Sequence, residues 1–217
     1  MKILLISLSC LISTSVLAFS CYSPQPIIQK PILFNQERIA LTEQYQLEHY
    51  GIHSISIEPK IIVLHWTSQT TLTKTFEAFN SPTLSGNHQH RDELPGNLNV
   101  SSHYLVDRDG KIYQLMPETI MGRHVIGLNH YAIGIENVGG VHNKEDLTEA
   151  QAKANAFLIC YLKKKYPAIH RIIGHMDYLK YKKTPEWLEK NPDYHTIKTD
   201  PGRQFMDEVK RLVKESL

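Results

Sequence analysis

Hydrophobic positions change rhythm at Ile61. Ile61-Ile62-Val63-Leu64 is an unbroken apolar run rich in β-branched residues, the pattern of a strand buried on both faces. Ser68 to Phe79 predicts a short helix. Asn80 to Asn99 is polar and interrupted by Pro82, Gly86, Pro95 and Gly96, which predicts a long loop. Tyr104-Leu105-Val106 and Ile112 to Leu115 flank Asp109-Gly110, a strong short-range hairpin signal. Ala132 to Val138 predicts another strand, ended by Gly139-Gly140. Thr148 and Gln151 stand at capping-box spacing, opening a helix that Pro167 stops after Tyr166. Ile169 to Ile173 predicts a short strand, and Tyr178 to Thr196 a second long loop. A final helix follows Pro201, with Phe205, Val209, Leu212 and Val213 on one face. Helices alternating with strands, plus one hairpin, imply an α/β fold: a mixed central sheet flanked by helices, in one domain over residues 59–217.

Upstream the pattern differs. Lys2, the mostly apolar run Ile3 to Leu17 and the small-residue site Val16-Leu17-Ala18 predict an export signal over residues 1–18. The run falls short of the ~20 mainly apolar residues of a membrane span. Plain cleavage is favoured over lipidation at Cys21, because Phe19 sits where a lipid-attachment motif has a small residue. Residues 19–58 carry Pro24, Pro26, Pro31 and the polar stretch Asn35 to His49, and predict an extension lying over the main domain or tethering it. The expected location is outside the inner membrane: periplasm, outer-membrane surface or medium.

Composition is that of a globular protein, 41% hydrophobic and 21% charged. The net charge of +2 argues against a nucleic-acid binder, which needs a basic field. Three cysteines, one inside the signal, do not make a disulfide framework. Cys160 falls in an apolar helical run and reads as a core residue.

Three residues at the ends of predicted elements carry candidate chemistry: His65 after the first strand, His175 after the late strand, and Asp200 before the last helix. Two imidazoles and a carboxylate leave zinc's fourth position open, as in a catalytic zinc site. Their spacing alone does not bring them together, and Asp200 could equally be the N-cap of the last helix.

In chain order, Val63-Leu64-His65-Trp66-Thr67, Ser101-Ser102-His103-Tyr104, Asp107-Arg108-Asp109-Gly110, Ile133-Gly134-Ile135-Glu136, and Gly174-His175 followed by Lys198-Thr199-Asp200-Pro201-Gly202 are similar to five segments of one family. The stretch from Ile61 to the C-terminus resembles the zinc-dependent N-acetylmuramoyl-L-alanine amidases. That family includes phage lysozyme-type amidases, AmpD-like enzymes and peptidoglycan recognition proteins. The resemblance implies one zinc ion per chain on His65, His175 and Asp200. It also implies Glu136 as the acidic group that activates water, and Lys198 as the cation facing the oxyanion. His124 and Asn129 match positions around the substrate cleft. The implied substrate is peptidoglycan or its muropeptides. A non-catalytic peptidoglycan-binding module is the alternative, and its mark would be a missing ligand.

Two departures stand out. Ser102 replaces a tyrosine of the phage-type members, and Arg123-His124-Val125-Ile126 stands where Trp-His-Ala-Gly is frequent. His103 reads as a core histidine, and His88 and His90 as loop residues. The two long loops are expected to carry specificity. Tyr178, Tyr181, Trp187 and Tyr194 are there either to stack on substrate or to pack the loop.

Overall fold

The computed structural model describes residues 25–84 and 96–216. The expected signal, Cys21, His88 and His90 lie outside the described residues. Strands β1 (Ile27–Gln29), β2 (Ile61–Trp66), β3 (Tyr104–Val106), β4 (Ile112–Gln114), β5 (Ala132–Asn137) and β6 (Arg171–Gly174) form one sheet. Its order is β1-β4-β3-β5-β2-β6. The β3–β4 hairpin is antiparallel and every other pairing is parallel, so the sheet is mixed, as the pattern implied. Every residue of β2, β3 and β5 is buried, which explains their continuous apolar runs.

Helices α1 (Gln36–Tyr50), α2 (Leu72–Asn80), α3 (Glu149–Lys165) and α4 (Arg203–Ser216) surround the sheet. Leu158 and Leu162 of α3, with Met206 and Val209 of α4, pack on Ile62, Leu64, Ile133 and Ile135. Ile61, Val63 and Ala132 point the other way, under Val125, Leu128, Tyr178 and Tyr194. Side chains alternate along a strand. The row that begins with Ile61 and Val63 therefore continues to His65, on the face that α3 and α4 leave uncovered. Among the described residues no helix is long and apolar enough to cross a membrane.

The start of α3 is tied to the ends of two strands. Thr148 Oγ1 accepts from Gln151 N (3.1 Å), and Gln151 Oε1 accepts from Thr148 N (2.9 Å), completing the capping box. Gln151 Nε2 also donates to the carbonyls of Val138 (2.9 Å) and Val106 (3.2 Å), just where β5 and β3 finish. Replacing Thr148 with alanine should cost about 1 kcal/mol in urea denaturation. A change near zero would mean that α3 starts without its cap.

Two elements differ from expectation. α2 begins at Leu72, because Gln69 bridges Gly139 and holds the chain extended until Thr71 caps the helix. Residues 25–58, expected as an extension, supply the edge strand β1 and the packed helix α1. Asn35 Oδ1 caps α1 by accepting from Arg38 N (3.0 Å), and Gly51 closes it in the left-handed region at φ 73°. The buried stripe of α1 is Arg38, Thr42, Tyr45, Gln46, His49 and Tyr50. It is helical in spacing but polar and aromatic in content. Arg38 donates to the carbonyls of Leu33 (2.7 Å) and Phe79 (2.8 Å), fastening α1 to the end of α2.

Candidate metal centre and its cavity

β5, β2 and β6 are parallel neighbours, so their carboxyl ends share one edge of the sheet, the usual place for a ligand in such folds. The register pairs His65 with Glu136 and Leu64 with Gly174. His175, one residue beyond β6, thus falls into the same row as His65 and Glu136. A cavity of about 1040 Å³ opens over this row, and His65, His124, Glu136, His175, Lys198 and Asp200 all line it.

His65 Nδ1 lies 3.0 Å from His175 Nδ1 and 3.3 Å from Asp200 Oδ2, and His175 Nδ1 lies 3.1 Å from the same oxygen. All three side chains are buried, and their ligand atoms lie within 4.8 Å of one another. Two ring nitrogens and one carboxylate oxygen aimed at one point suit a borderline divalent metal, so the residues present fit such an ion. Asp200 is not a helix cap: its carboxylate turns to the histidines, and Glu145 Oε1 instead accepts from Phe205 N (3.0 Å) in the first turn of α4.

Electrostatics follow from this crowding. Burial, then the neighbouring His175, lowers the His65 pKa to about 4, so the ring is neutral. Burial alone would raise the Asp200 carboxyl. The charge of the neighbouring His175 and its hydrogen bond to the carboxylate lead the opposing effects and hold Asp200 far below the usual carboxylate range. Glu136 goes the other way: burial first, then the Asp200 charge, pushes its carboxyl well up, with Lys198 acting against them. Glu136 Oε2 is buried without a hydrogen-bond partner among the described residues.

Lys198 lines the cavity, and no ion pair among the described residues ties up its ammonium. His124 also lines it, against His65. Asn129 does not reach the cavity. It is fully buried, its Oδ1 accepting from the amides of His124 (2.9 Å) and Val125 (2.7 Å), its Nδ2 donating to Tyr50 Oη of α1 (2.9 Å). His103 is the core histidine expected. Its Nε2 donates to Ile120 O (2.8 Å) and its Nδ1 accepts from Gly134 N (3.0 Å). Ser102 Oγ donates to Tyr104 O (2.8 Å) and is buried away from the cavity.

The aromatic residues of the second loop pack rather than line the cavity. Tyr178 and Tyr194 are buried, Trp187 stacks on Tyr178 at 5.9 Å, and Tyr181 and Trp187 join the same cluster. Tyr178 Oη donates to Thr196 O (2.7 Å) and accepts from Thr196 N (2.8 Å), so this loop is closed just before Lys198 and Asp200. Arg123, met in the sequence only as part of a departure from the family pattern, is buried and lines the cavity; it donates to Leu98 O and Tyr194 Oη, and its guanidinium lies 4.8 Å from the centre of the Tyr45 ring. Sequence reasoning passed over Ser68, His142 and Asn143, which line the cavity with φ of 52°, 56° and 59°. Left-handed backbone at non-glycine residues gathers at ligand sites, but composition gives no sign of it.

Residues 56–203 match the family model described as N-acetylmuramoyl-L-alanine amidase. The endolysin of Escherichia phage T7 is 33% identical over 81 residues, covering 36% of this chain and 52% of that protein. The chain thus spans about half the length of the curated relatives it matches. Among solved structures, the amidase LysC from Clostridium intestinale superimposes with a TM-score of 0.53 at 21% identity, over 88% of this chain and 99% of that one. A selenomethionine derivative of AmpD gives 0.55 at 23%, over 89% and 97%. These two share the fold. The family-model match spans His65, His175 and Asp200, and the chain belongs to the N-acetylmuramoyl-L-alanine amidase family.

Proposed function

We propose that this protein hydrolyses the amide bond between N-acetylmuramic acid and L-alanine in peptidoglycan or its muropeptides, using one zinc ion held by His65, His175 and Asp200. The observation that carries the reading is the convergence of His65 Nδ1, His175 Nδ1 and Asp200 Oδ2 on one point of a cavity that also holds Glu136 and Lys198. When bound there, zinc supplies Lewis-acid polarisation and lowers the pKa of a water to about 7.

The chain's own groups do the rest. Glu136, whose buried carboxyl readily holds a proton, takes one from the attacking water and delivers it to the departing alanine nitrogen. Lys198 presents positive charge where the carbonyl oxygen becomes negative. The absence of a tyrosine at Ser102 leaves that task to the metal and Lys198. A binding module without catalysis would have no use for Glu136 beside an intact ligand set, which favours the enzyme.

The protein acts after export, with residues 1–18 removed and the chain working on the cell wall in the periplasm or beyond. The test is mass spectrometry of purified muropeptides incubated with the protein, with chelator and with added zinc. Free stem peptide and intact sugar, lost with chelator and restored by zinc, is the expected result. Zinc bound stoichiometrically with nothing released would reduce the protein to a binding module.

A further inference from the structure

His124 has both ring nitrogens engaged inside the protein. Its Nε2 lies 3.3 Å from the carbonyl oxygen of Ala132, and its Nδ1 lies 3.1 Å from His65 Nε2. A carbonyl only accepts, so Nε2 of His124 carries the hydrogen and donates it. With the hydrogen on Nε2, Nδ1 of His124 offers the lone pair that faces His65 Nε2 across 3.1 Å. His65 Nε2 must then be the donor to it. A His65 that ligates through Nδ1 keeps its hydrogen on Nε2, and Nδ1 is the atom that faces His175 and Asp200.

We propose that His124 is a positioning residue, not a substrate contact: it relays the polarity of the Ala132 carbonyl through its ring and fixes His65 as the Nε2–H tautomer, with Nδ1 free to ligate. This rests on the reading of His65 as a metal ligand. The surroundings are built for it. A Cβ on Gly134 would stand 2.8–2.9 Å from the His124 ring, so only glycine at this point of β5 leaves room for the imidazole. Asn129 holds the backbone amides on both sides of the ring's attachment, and Tyr50 of α1 holds Asn129. With no ring nitrogen to spare, His124 has no polar atom to offer a sugar or peptide.

Three variants test the relay: His124→Leu fills similar space without an acceptor, His124→Asn keeps an oxygen near the Nδ1 position, and Gly134→Ala displaces the ring without removing it. Zinc affinity is read by competition with a chromophoric chelator. The tautomer of His65 is read from long-range ¹H–¹⁵N correlations of the metal-free wild type and each variant, and melting temperature reports on folding. His124→Leu and Gly134→Ala should each lose roughly 10–100-fold in zinc affinity, with His124→Asn recovering most of it. The wild-type protein should show His65 protonated at Nε2, and His124→Leu should show a mixture. Zinc binding by His124→Leu within about twofold of wild type, or a wild-type His65 protonated at Nδ1, would overturn the proposal. Should His124→Leu fail to fold, the wild-type tautomer and His124→Asn still decide. A wild type that binds no zinc but shows the Nε2–H tautomer would remove the metal reading and leave the relay standing.

Discussion

Glutamine in place of Glu136 is expected to slow muropeptide cleavage by about 10²–10⁴ while zinc stays bound at one per chain. Glu136 sits in register with His65 at the ends of two parallel strands, and its Oε2 is buried with no hydrogen-bond partner among the described residues. A carboxyl so placed adds little to the fold, since burying it without a partner is costly. Burial and the Asp200 charge raise its pKa, and Lys198 opposes them. A divalent ion on His65, His175 and Asp200 would add to the opposition and favour the ionised carboxylate that accepts the water's proton. Glutamine matches the shape and cannot do this. The melting temperature of Glu136→Gln should therefore equal or exceed that of wild type, a familiar exchange of stability against activity. Saturating turnover, metal content by elemental analysis and a thermal melt make the measurement. Turnover within about threefold of wild type would remove Glu136 from the reaction. A large drop in melting temperature would make it a structural residue instead.

Strands β2 to β6 and helices α3 and α4 are legible because apolar burial decides them. Ile61 to Leu64, the Asp109-Gly110 hairpin and the Thr148–Gln151 capping box each name their element locally, and the structure has β2, the β3–β4 pair and α3 there. α1 is illegible to the same reasoning, because its buried stripe is fastened by polar groups and aromatic rings. Arg38 reaches carbonyls of α2, His49 Nδ1 lies 2.8 Å from Glu189 Oε2, and Tyr50 meets Asn129. Hydropathy scores such a helix as surface. Its ends were nevertheless marked: Asn35 as cap and Gly51 as stop frame a stretch of helical length.

The site shows the same division. His65, Glu136 and His175 could be placed at strand ends, but only the parallel register puts them in one row. Asp200 had two readings, settled by Glu145 taking the capping role. His124 and Asn129 came from resemblance alone, which carries position without orientation. Their hydrogen bonds decide what each does: one faces His65, the other stands behind it. The role of Arg123 was hidden because a buried arginine held by the Leu98 carbonyl and the Tyr194 hydroxyl looks, in sequence, like any surface cation.

Acid should unfold the protein through His103 before most carboxylates protonate. The ring is wholly buried, and its Nδ1 accepts the Gly134 amide hydrogen, so a second proton has no place without breaking that bond. Burial lowers its pKa to about 4, although the Ile120 carbonyl and the Glu118 charge act the other way. The unfolded chain, with an ordinary histidine near 6.5, binds the proton first as pH falls. Stability from this group is therefore complete above about pH 6.5. It is lost progressively towards pH 4, and below that both states are protonated and the loss stops. A gap of about 2.5 units corresponds to about 3 kcal/mol, a large share of the stability of a domain. Urea unfolding in chelator, at steps from pH 7.5 to 4, compares wild type with His103→Asn, whose side-chain oxygen can still accept from Gly134. Other titrating groups, His65 and His124 among them, are common to both proteins, so the difference isolates position 103. Wild type should be the more stable at pH 7.5 and lose about 3 kcal/mol more than the variant by pH 4. Parallel curves would mean that His103 titrates alike folded and unfolded, and that acid acts elsewhere in the sheet.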